Sequence, residues 1–267
     1  MNGISSKAGK ANSRLILQER DLHLLRELSV MRILDRELAK IVAGFGSTTR
    51  ANTRLLMMTR AGLLRRFFLG TGGGSKALYA LSPKGAQAVD VSSRGPRRPQ
   101  GALLVADNFI QHQLSLNGIY CALKYGTIPV PQVTFDRWLS FHEPLVPALK
   151  LIPDGYVEFM TPAGVAACFL EVDLGHESLR VWREKAQRYL QLALSGEFEK
   201  KFGHDRFRVF VVVNSGRRLH SIRKAVAVIT QKIFWFATLE SVSADFFCPV
   251  WFRPADETQK SPFEITQ

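Results

Sequence analysis

Cysteine is scarce in this sequence, and the few cysteines form no motif. The 267 residues include only Cys121, Cys168 and Cys248. They lie far apart, are odd in number and make no Cys-x-x-Cys pair, which argues against a disulfide framework and against a zinc site. Reduced thiols are typical of a cytosolic compartment, so the sequence favours a cytoplasmic protein.

Long apolar runs are also missing. No run approaches the roughly 18 residues that a bilayer-spanning helix needs. The polar, basic residues 1–14 lack the apolar segment of a secretory signal. Hydrophobic residues make up 46% of the chain and charged residues 22%, as in ordinary globular proteins. We therefore expect a globular protein with no membrane partner.

Acidic residues are rare in the first part of the chain. Residues 1–100 contain 18 Lys and Arg against 6 Asp and Glu, whereas residues 101–267 contain 18 against 17. Almost all of the net charge of +13 therefore lies in the first segment. A basic segment joined to a neutral one is typical of a module that binds nucleic-acid phosphates, the alternative being a solvated basic face.

Composition shifts divide the chain into four parts. Residues 1–14 predict a flexible basic arm, and residues 15–90 a compact basic domain. Residues 91–101, rich in Pro, Gly, Ser and Arg, predict a linker. Residues 102–267 predict a second domain.

The first domain has the pattern of a winged helix-turn-helix. Apolar residues at helical spacing predict helices over about 18–30, 35–42 and 47–60. Two short apolar runs joined by a Gly-rich turn predict a β-hairpin over 63–81, and Pro83 is suited to the first position of a further helix. Three helices followed by a hairpin is the order of a winged helix.

The third helix of that domain is expected to lie in the DNA major groove. Ala51, Leu55, Met58 and Ala61 are predicted to face inward. Arginine and asparagine suit base edges, and threonine hydroxyls suit phosphates. The candidate residues that bind double-stranded DNA are Thr48, Thr49, Arg50, Asn52 and Arg54 on the outward face of the helix, and Arg65, Arg66 and Lys76 on the hairpin. The alternatives are solvated side chains and a winged helix that contacts protein.

The second domain is predicted to be a mixed α/β sheet with helices on its faces, so that the whole chain is α+β. The stretch Ile233-Phe234-Trp235-Phe236 is expected to be core or a subunit interface. The predicted elements are a helix over 103–125, strands near 131–141, 151–160 and 165–173, a helix over 178–195, a strand over 207–213, a helix over 219–233 and a strand within 243–252.

Three carboxylates are predicted to meet at the ends of neighbouring strands. Asp154 opens one strand, and Glu171 and Asp173 share a face of the next. Such an oxygen-rich set suits Mg²⁺. Lys185, on the following helix, is placed to point back at them, and a metal with a lysine is what phosphodiester hydrolysis needs. The alternative is a structural ion-pair network without catalysis.

These residues resemble the core of the PD-(D/E)xK nucleases. The resemblance rests on Pro153-Asp154, on Glu171-Val172-Asp173, and on Lys185 and Tyr189 within an αβββαβ order. It implies a restriction-endonuclease-like core whose candidate catalytic residues are Asp154, Glu171, Asp173 and Lys185. The chain departs from the family at Asp173, where the pattern usually has lysine, so Lys185 would have to substitute from the helix.

Several short motifs follow one another along the chain: the Gln-Glu-Arg-Asp-Leu opening, Arg54-Leu55 with Ala61-Gly62-Leu63-Leu64, Tyr79-Ala80-Leu81-Ser82-Pro83-Lys84-Gly85, and Pro-Asp followed by Glu-Val-Asp-Leu-Gly-His-Glu-Ser. In their order and spacing the chain resembles the replication-relaxation family over about residues 15–215. The resemblance implies DNA binding connected with the replication or regulation of a plasmid or mobile element, and partners among replication or mobilisation proteins.

Two hypotheses of function follow. The first is a homodimeric, sequence-specific DNA-binding regulator that needs no cofactor for DNA binding and whose nuclease-like domain serves assembly or DNA contact. The second is an Mg²⁺-dependent DNA endonuclease that the winged helix targets. A protein-interaction adaptor is a third possibility, which the basic charge of the first domain disfavours.

Overall fold

The structure, a computed structural model, describes residues 15–69, 76–92 and 103–263, with side chains left out for Leu69 and residues 103–107. The expected basic arm, the turn of the hairpin and most of the expected linker lie outside the described residues. The chain divides into two compact units, Met1–Pro96 and Arg97–Gln267. Helices and sheets occur in both units, so the fold class is α+β, as predicted.

Helices dominate the first unit, and a small antiparallel sheet in the order β1-β3-β2 completes it. The described elements are α1 (Glu19–Met31), β1 (Leu34–Asp35), α2 (Arg36–Ala43), α3 (Thr48–Arg60), β2 (Leu64–Leu69), β3 (Lys76–Leu81) and α4 (Pro83–Ala88). The three predicted helices and both strands of the predicted hairpin are present.

Short polar side chains fix where these helices begin. The Asp35 carboxylate accepts the Leu38 N–H at 2.8 Å at the start of α2. Ser47 accepts an N–H in the same way at the start of α3, and Ser82 does so at the start of α4. Each cap satisfies a backbone donor that has no partner inside the helix, which is why the starts could be predicted from the sequence.

The core of the first unit lies between the apolar sides of the helices and the sheet. Leu28 of α1 and Leu78 of β3 are almost completely buried. On α3, Ala51, Leu55 and Met58 are fully buried, so the predicted inward side is confirmed for these three, whereas Ala61 is only half-buried. The opposite side of α3 is left exposed.

A seven-stranded sheet in the order β10-β9-β8-β7-β6-β5-β4 forms the centre of the second unit. The β6-β7-β8 neighbours are parallel and the others antiparallel. The elements are α5 (Leu103–Tyr125), β4 (Thr134–Leu139), a 3-10 turn (Pro147–Leu149), β5 (Gly155–Thr161), β6 (Gly164–Asp173), α6 (Leu179–Leu194), α7 (Glu197–Phe202), β7 (Arg208–Val213), α8 (Gly216–Ala227), β8 (Phe234–Thr238), α9 (Leu239–Ala244), β9 (Trp251–Arg253) and β10 (Asp256–Lys260).

Helices cover both faces of this sheet. Trp182 and Tyr189 of α6 and Ile222 of α8 pack in the core on one face. Leu116 of α5 and Val242 of α9 pack in the core on the other. Because both of its faces are covered, β7 is apolar at almost every position rather than alternating. In the part of the chain that the structure describes, no helix has the length and apolarity to cross a bilayer.

The structure corrects the predicted elements near the C-terminus. The helix expected over 219–233 ends at Ala227, and Val228 is 80% exposed. The stretch 233–236, expected to be core or an interface, enters the buried strand β8, which confirms the core alternative. Much of 243–252 is not a strand, since α9 ends at Ala244 and β9 begins only at Trp251. The elements α7 and β10 were not predicted.

Candidate functional site

One side of α3 presents four exposed polar side chains. Thr49, Arg50, Asn52 and Thr53 are all exposed. Within the described residues, no carboxylate pairs with the Arg50 guanidinium. This side offers hydrogen-bond donors and one uncompensated positive charge next to the N-terminus of the helix, where the backbone itself favours an anion.

Arg54 does not belong to that exposed side, contrary to the prediction. Its Nε donates to the Asp21 carboxylate at 2.9 Å, and its Nη2 donates to the Ile16 carbonyl at 2.7 Å. The Arg54 side chain is only 13% exposed, and that of Asp21 is fully buried. A buried carboxylate needs a cation, so Arg54 ties α3 to the start of α1. Thr48 is half-buried and accepts from the Lys40 ammonium at 3.4 Å.

The hairpin contributes two exposed arginines. Arg65 and Arg66 of β2 are exposed, and the Arg66 guanidinium lies 5.2 Å from the centre of the Phe68 ring. Lys76 of β3 forms an ion pair with Asp35, the cap of α2, while its side chain stays 53% exposed. The hairpin is therefore anchored to α2 through Lys76 and presents Arg65 and Arg66 to the solvent.

In the second unit, Asp154 lies beside the end of β6. Its Oδ2 accepts the Val172 N–H at 2.8 Å and is 3.1 Å from Nε2 of His112 on α5. Burial lowers the pKa of His112, but the hydrogen bond and charge of Asp154 and the charge of Glu171 outweigh burial, so the pKa is raised overall. His112 could not be identified from the sequence, because its partner Asp154 is 42 positions away along the chain.

Glu171 is the buried centre of the same cluster. Its carboxylate accepts from the Lys185 ammonium at 2.9 Å and from the Tyr189 hydroxyl at 2.6 Å, and Lys185 also donates to Glu177 at 3.0 Å. Burial raises the pKa of Glu171 to about 7, although the charge of Lys185 opposes this. The structure therefore brings together Asp154, Glu171 and Lys185, as the sequence predicted.

Asp173 is held by a different set of partners. Its carboxylate accepts from the Trp182 indole N–H at 2.5 Å, from Nε of Arg218 at 3.1 Å and from the Gly175 N–H at 2.6 Å. It shares a face of β6 with Glu171, as expected, but Arg218 of α8 neutralises it. Its role in the structure is to hold α6 and α8 to the end of the strand.

The three carboxylates of the predicted magnesium site, Asp154, Glu171 and Asp173, each have protein partners. Among the described residues, no group of three or more His, Cys, Asp and Glu side chains is placed to hold a metal ion. Both oxygens of Glu171 already accept hydrogen bonds, and Asp173 is held by an arginine. These contacts match the ion-pair network that the sequence left open as the alternative.

Comparison with known proteins gives one match. The family model described as Replication-relaxation matches residues 22–205. That segment includes α3, the β2–β3 hairpin and the cluster around Glu171, and it ends before β7. No curated protein and no solved structure matches the chain.

Proposed function

Because the chain belongs to the replication-relaxation family, which indicates a role in plasmid or mobile-element replication, we propose that it is a DNA-binding regulator of such an element. The first unit binds double-stranded DNA as a winged helix-turn-helix. The second unit serves assembly or further DNA contact and does not cleave.

The observation that carries this proposal is the exposed polar side of α3. Arg50 and Asn52 lie near the start of the helix, the part that a recognition helix presents to base edges. A guanidinium suits the O6 and N7 atoms of guanine, and an amide suits the N6 and N7 atoms of adenine. Thr49 and Thr53 supply hydroxyls for phosphates.

The hairpin supports the same function. The element order α1-β1-α2-α3-β2-β3 and the three-stranded sheet are those of a winged helix. In that arrangement Arg65 and Arg66 would contact the phosphates that flank the bound groove. Lys76 would contribute less, since Asp35 already neutralises it.

A binding experiment tests the proposal. Fluorescence anisotropy at about 150 mM salt would compare a duplex selected from random sequences with a scrambled duplex. We expect Arg50→Ala with Asn52→Ala to weaken binding to the selected duplex about 10- to 100-fold and to reduce discrimination. Arg60→Ala, an exposed arginine at the far end of α3, is the matched control. Equal affinities for the control and the double variant would contradict the proposal.

The alternative function is an Mg²⁺-dependent endonuclease. It is favoured by one observation, the assembly of Asp154, Glu171 and Lys185 in one cluster. Against it stand the hydrogen bonds that occupy Glu171 and the arginine that neutralises Asp173. A plasmid-nicking assay separates the two functions.

The proposal also includes a homodimer. Paired recognition helices read two half-sites about one helical turn apart, which suits a regulator. Light scattering with and without the selected duplex measures the stoichiometry, and two chains per duplex is the expected result. Replication or mobilisation proteins remain the proposed protein partners.

A further inference from the structure

A second basic surface lies within the second unit, at the other end of its sheet from Asp173. It is a cleft of about 850 Å³ at the amino ends of β7 and β8, bordered by Arg208 and Ile233 and by Val165 of β6. Asp173 ends β6 at the carboxyl side, roughly 25 Å from Val165 along an extended strand. The cleft is therefore distinct from the cluster around Glu171.

Positive charge dominates the lining of this cleft. Arg206, Arg208, Lys232 and Arg253 line it together with two carboxylates, those of Asp205 and Glu199. Asp205 is already paired with Arg206 at 3.1 Å. Apart from that pair, the lining holds the three cations of Arg208, Lys232 and Arg253 and one further carboxylate, that of Glu199.

Two of these cations lie against the same tryptophan. The guanidinium of Arg208 is 5.7 Å from the centre of the Trp235 ring, and that of Arg253 is 4.6 Å from it. Their hydrogen bonds go to backbone carbonyls, from Arg208 to Pro262 at 2.5 Å and from Arg253 to Gln231 at 3.3 Å. Over the described ranges neither guanidinium forms an ion pair with a carboxylate.

The positive charges of these two guanidinium groups are not compensated by ion pairs with carboxylates of the described residues. Burial lowers the pKa of Arg253 and the neighbouring charge of Arg208 lowers it further, while the charge of Asp256, which is paired with Lys260, acts in the opposite direction. Two like charges beside one buried ring repel each other, and an anion placed between or beside them relieves that repulsion. The indole N–H of the same Trp235 is buried and has no hydrogen-bond partner among the residues described, although Trp235 itself is not part of the cleft lining.

We propose that this cleft binds a phosphate ester, carried either by a nucleic-acid strand or by a free nucleotide. Guanidinium groups match the geometry of phosphate oxygens and hold them through paired hydrogen bonds. The volume is in the range of sites for small organic ligands, so there is room for the sugar and base as well as the phosphate. The site does not depend on DNA binding by α3.

Isothermal titration calorimetry on the full chain tests this proposal. The three ligands are a 5′-phosphorylated hexathymidylate, thymidine monophosphate and inorganic phosphate, in about 100 mM salt. The cleft variants are Lys232→Gln, whose side chain is exposed, and Lys232→Gln with Arg253→Gln. The control is Lys150→Gln with Lys224→Gln, which removes the same charge from exposed positions outside the cleft lining.

We expect the double cleft variant to weaken binding of the ester at least 10-fold and Lys232→Gln alone about 3-fold, while the control changes it less than 2-fold. Far-UV circular dichroism and thermal unfolding check that each variant is folded. A hexamer that binds at least 10-fold more tightly than the mononucleotide identifies a strand as the ligand, and equal affinities identify a nucleotide. The proposal is overturned if no ester binds, if cleft variants and control bind equally, or if inorganic phosphate binds as tightly as the esters.

Discussion

At the scale of single residues, two of the buried carboxylates, those of Asp21 and Glu171, are held in different ways. The Asp21 carboxylate forms an ion pair with Arg54 and accepts the Gln18 N–H at 2.7 Å, a hydrogen bond that caps the start of α1. Glu171 shares one lysine with Glu177 and lies near the charge of Asp154. The first carboxylate has an arginine to itself, whereas the second shares its lysine with a neighbouring carboxylate.

Removing the partner of Asp21 should strongly destabilise the first unit. Arg54→Met leaves a buried charge without compensation, so we expect the free energy of unfolding to fall by about 3–5 kcal/mol. Asp21→Asn combined with Arg54→Met should recover at least half of that loss, because no buried charge then remains. Urea unfolding followed by circular dichroism measures both. Arg60→Met is the surface control, and a loss as large in this control would refute the assigned ion pair.

The buried Glu171 should make the second unit more stable in acid. Its folded-state pKa of about 7 is above the ordinary value, so the native state binds the proton more tightly than the unfolded chain does. Its contribution is therefore complete below about pH 4.5 and is lost as the pH rises to about 7. Its size is up to about 3 kcal/mol at 1.36 kcal/mol per pKa unit.

Glu171→Gln removes that titration and is the direct test. We expect the variant to gain stability relative to the wild type between pH 5 and pH 8, as measured by urea unfolding at each pH. The charge of Glu171 also contributes to the raised pKa of His112, so the difference between the two profiles reports Glu171 together with its effect on His112. Glu184→Gln, on the half-exposed part of α6, is the control. Parallel pH profiles for wild type and Glu171→Gln would show that the carboxyl titrates at its ordinary pKa.

Several partners at this scale were beyond sequence analysis because they come from remote positions. Helical spacing alone placed Arg54 beside Arg50, but its partner Asp21 is 33 residues away. Arg218, which neutralises Asp173, follows it by 45 residues. Lys185 was found because it lies only 14 residues after Glu171, on the next helix.

At the scale of elements, the hairpin and α3 are expected to divide the work of DNA binding. A phosphate contact weakens all sequences about equally and lowers the salt dependence of binding, whereas a base contact changes specificity. The position of Arg65 on β2, where its side chain is exposed, fits the first kind of contact.

Arg65→Ala should reduce the slope of log affinity against log salt concentration by about 0.9, the value for one phosphate contact. Anisotropy titrations from about 50 to 200 mM salt, on the selected and the scrambled duplex, measure it. Affinity for both duplexes should fall by a similar factor. Arg26→Ala, on the half-exposed side of α1, is the control. A changed ratio between the two duplexes with an unchanged slope would assign Arg65 to base recognition instead.

Element boundaries could be predicted where a local chemical signal marks them. Ser47, Ser82 and Ser178 each cap the helix that follows, and the predicted helices over 47–60 and 178–195 begin at two of these residues. The end of α8 carries no such signal, because the apolar run continues through Val228 into β8. A short apolar stretch buried on both faces has no alternation that would separate strand from helix.

At the scale of the whole molecule, the α+β class could be predicted, but the full sheet could not. The expected αβββαβ order accounts for β4, β5, β6 and β7. The strands β8, β9 and β10 extend the sheet beyond that core, and β9 joins β8 through the single pair Phe236 and Phe252. Such a long-range pairing depends on tertiary packing rather than on local pattern.

At the same scale, the regulator and the endonuclease proposals predict different results when the full protein is mixed with plasmid DNA. We expect supercoiled plasmid that contains the selected site to stay intact with the protein in Mg²⁺ or Mn²⁺, because Glu171 and Asp173 are engaged by protein donors. Agarose gels over several hours at equal binding saturation measure this. Metal-dependent nicking that is lost in Asp154→Ala and Glu171→Ala, but kept in Glu184→Ala, would replace the regulator by the endonuclease. Nicking that persists in all three variants would instead indicate a contaminating nuclease. The assay would then be repeated with repurified protein, and the regulator proposal requires that the plasmid stay intact in that repeat.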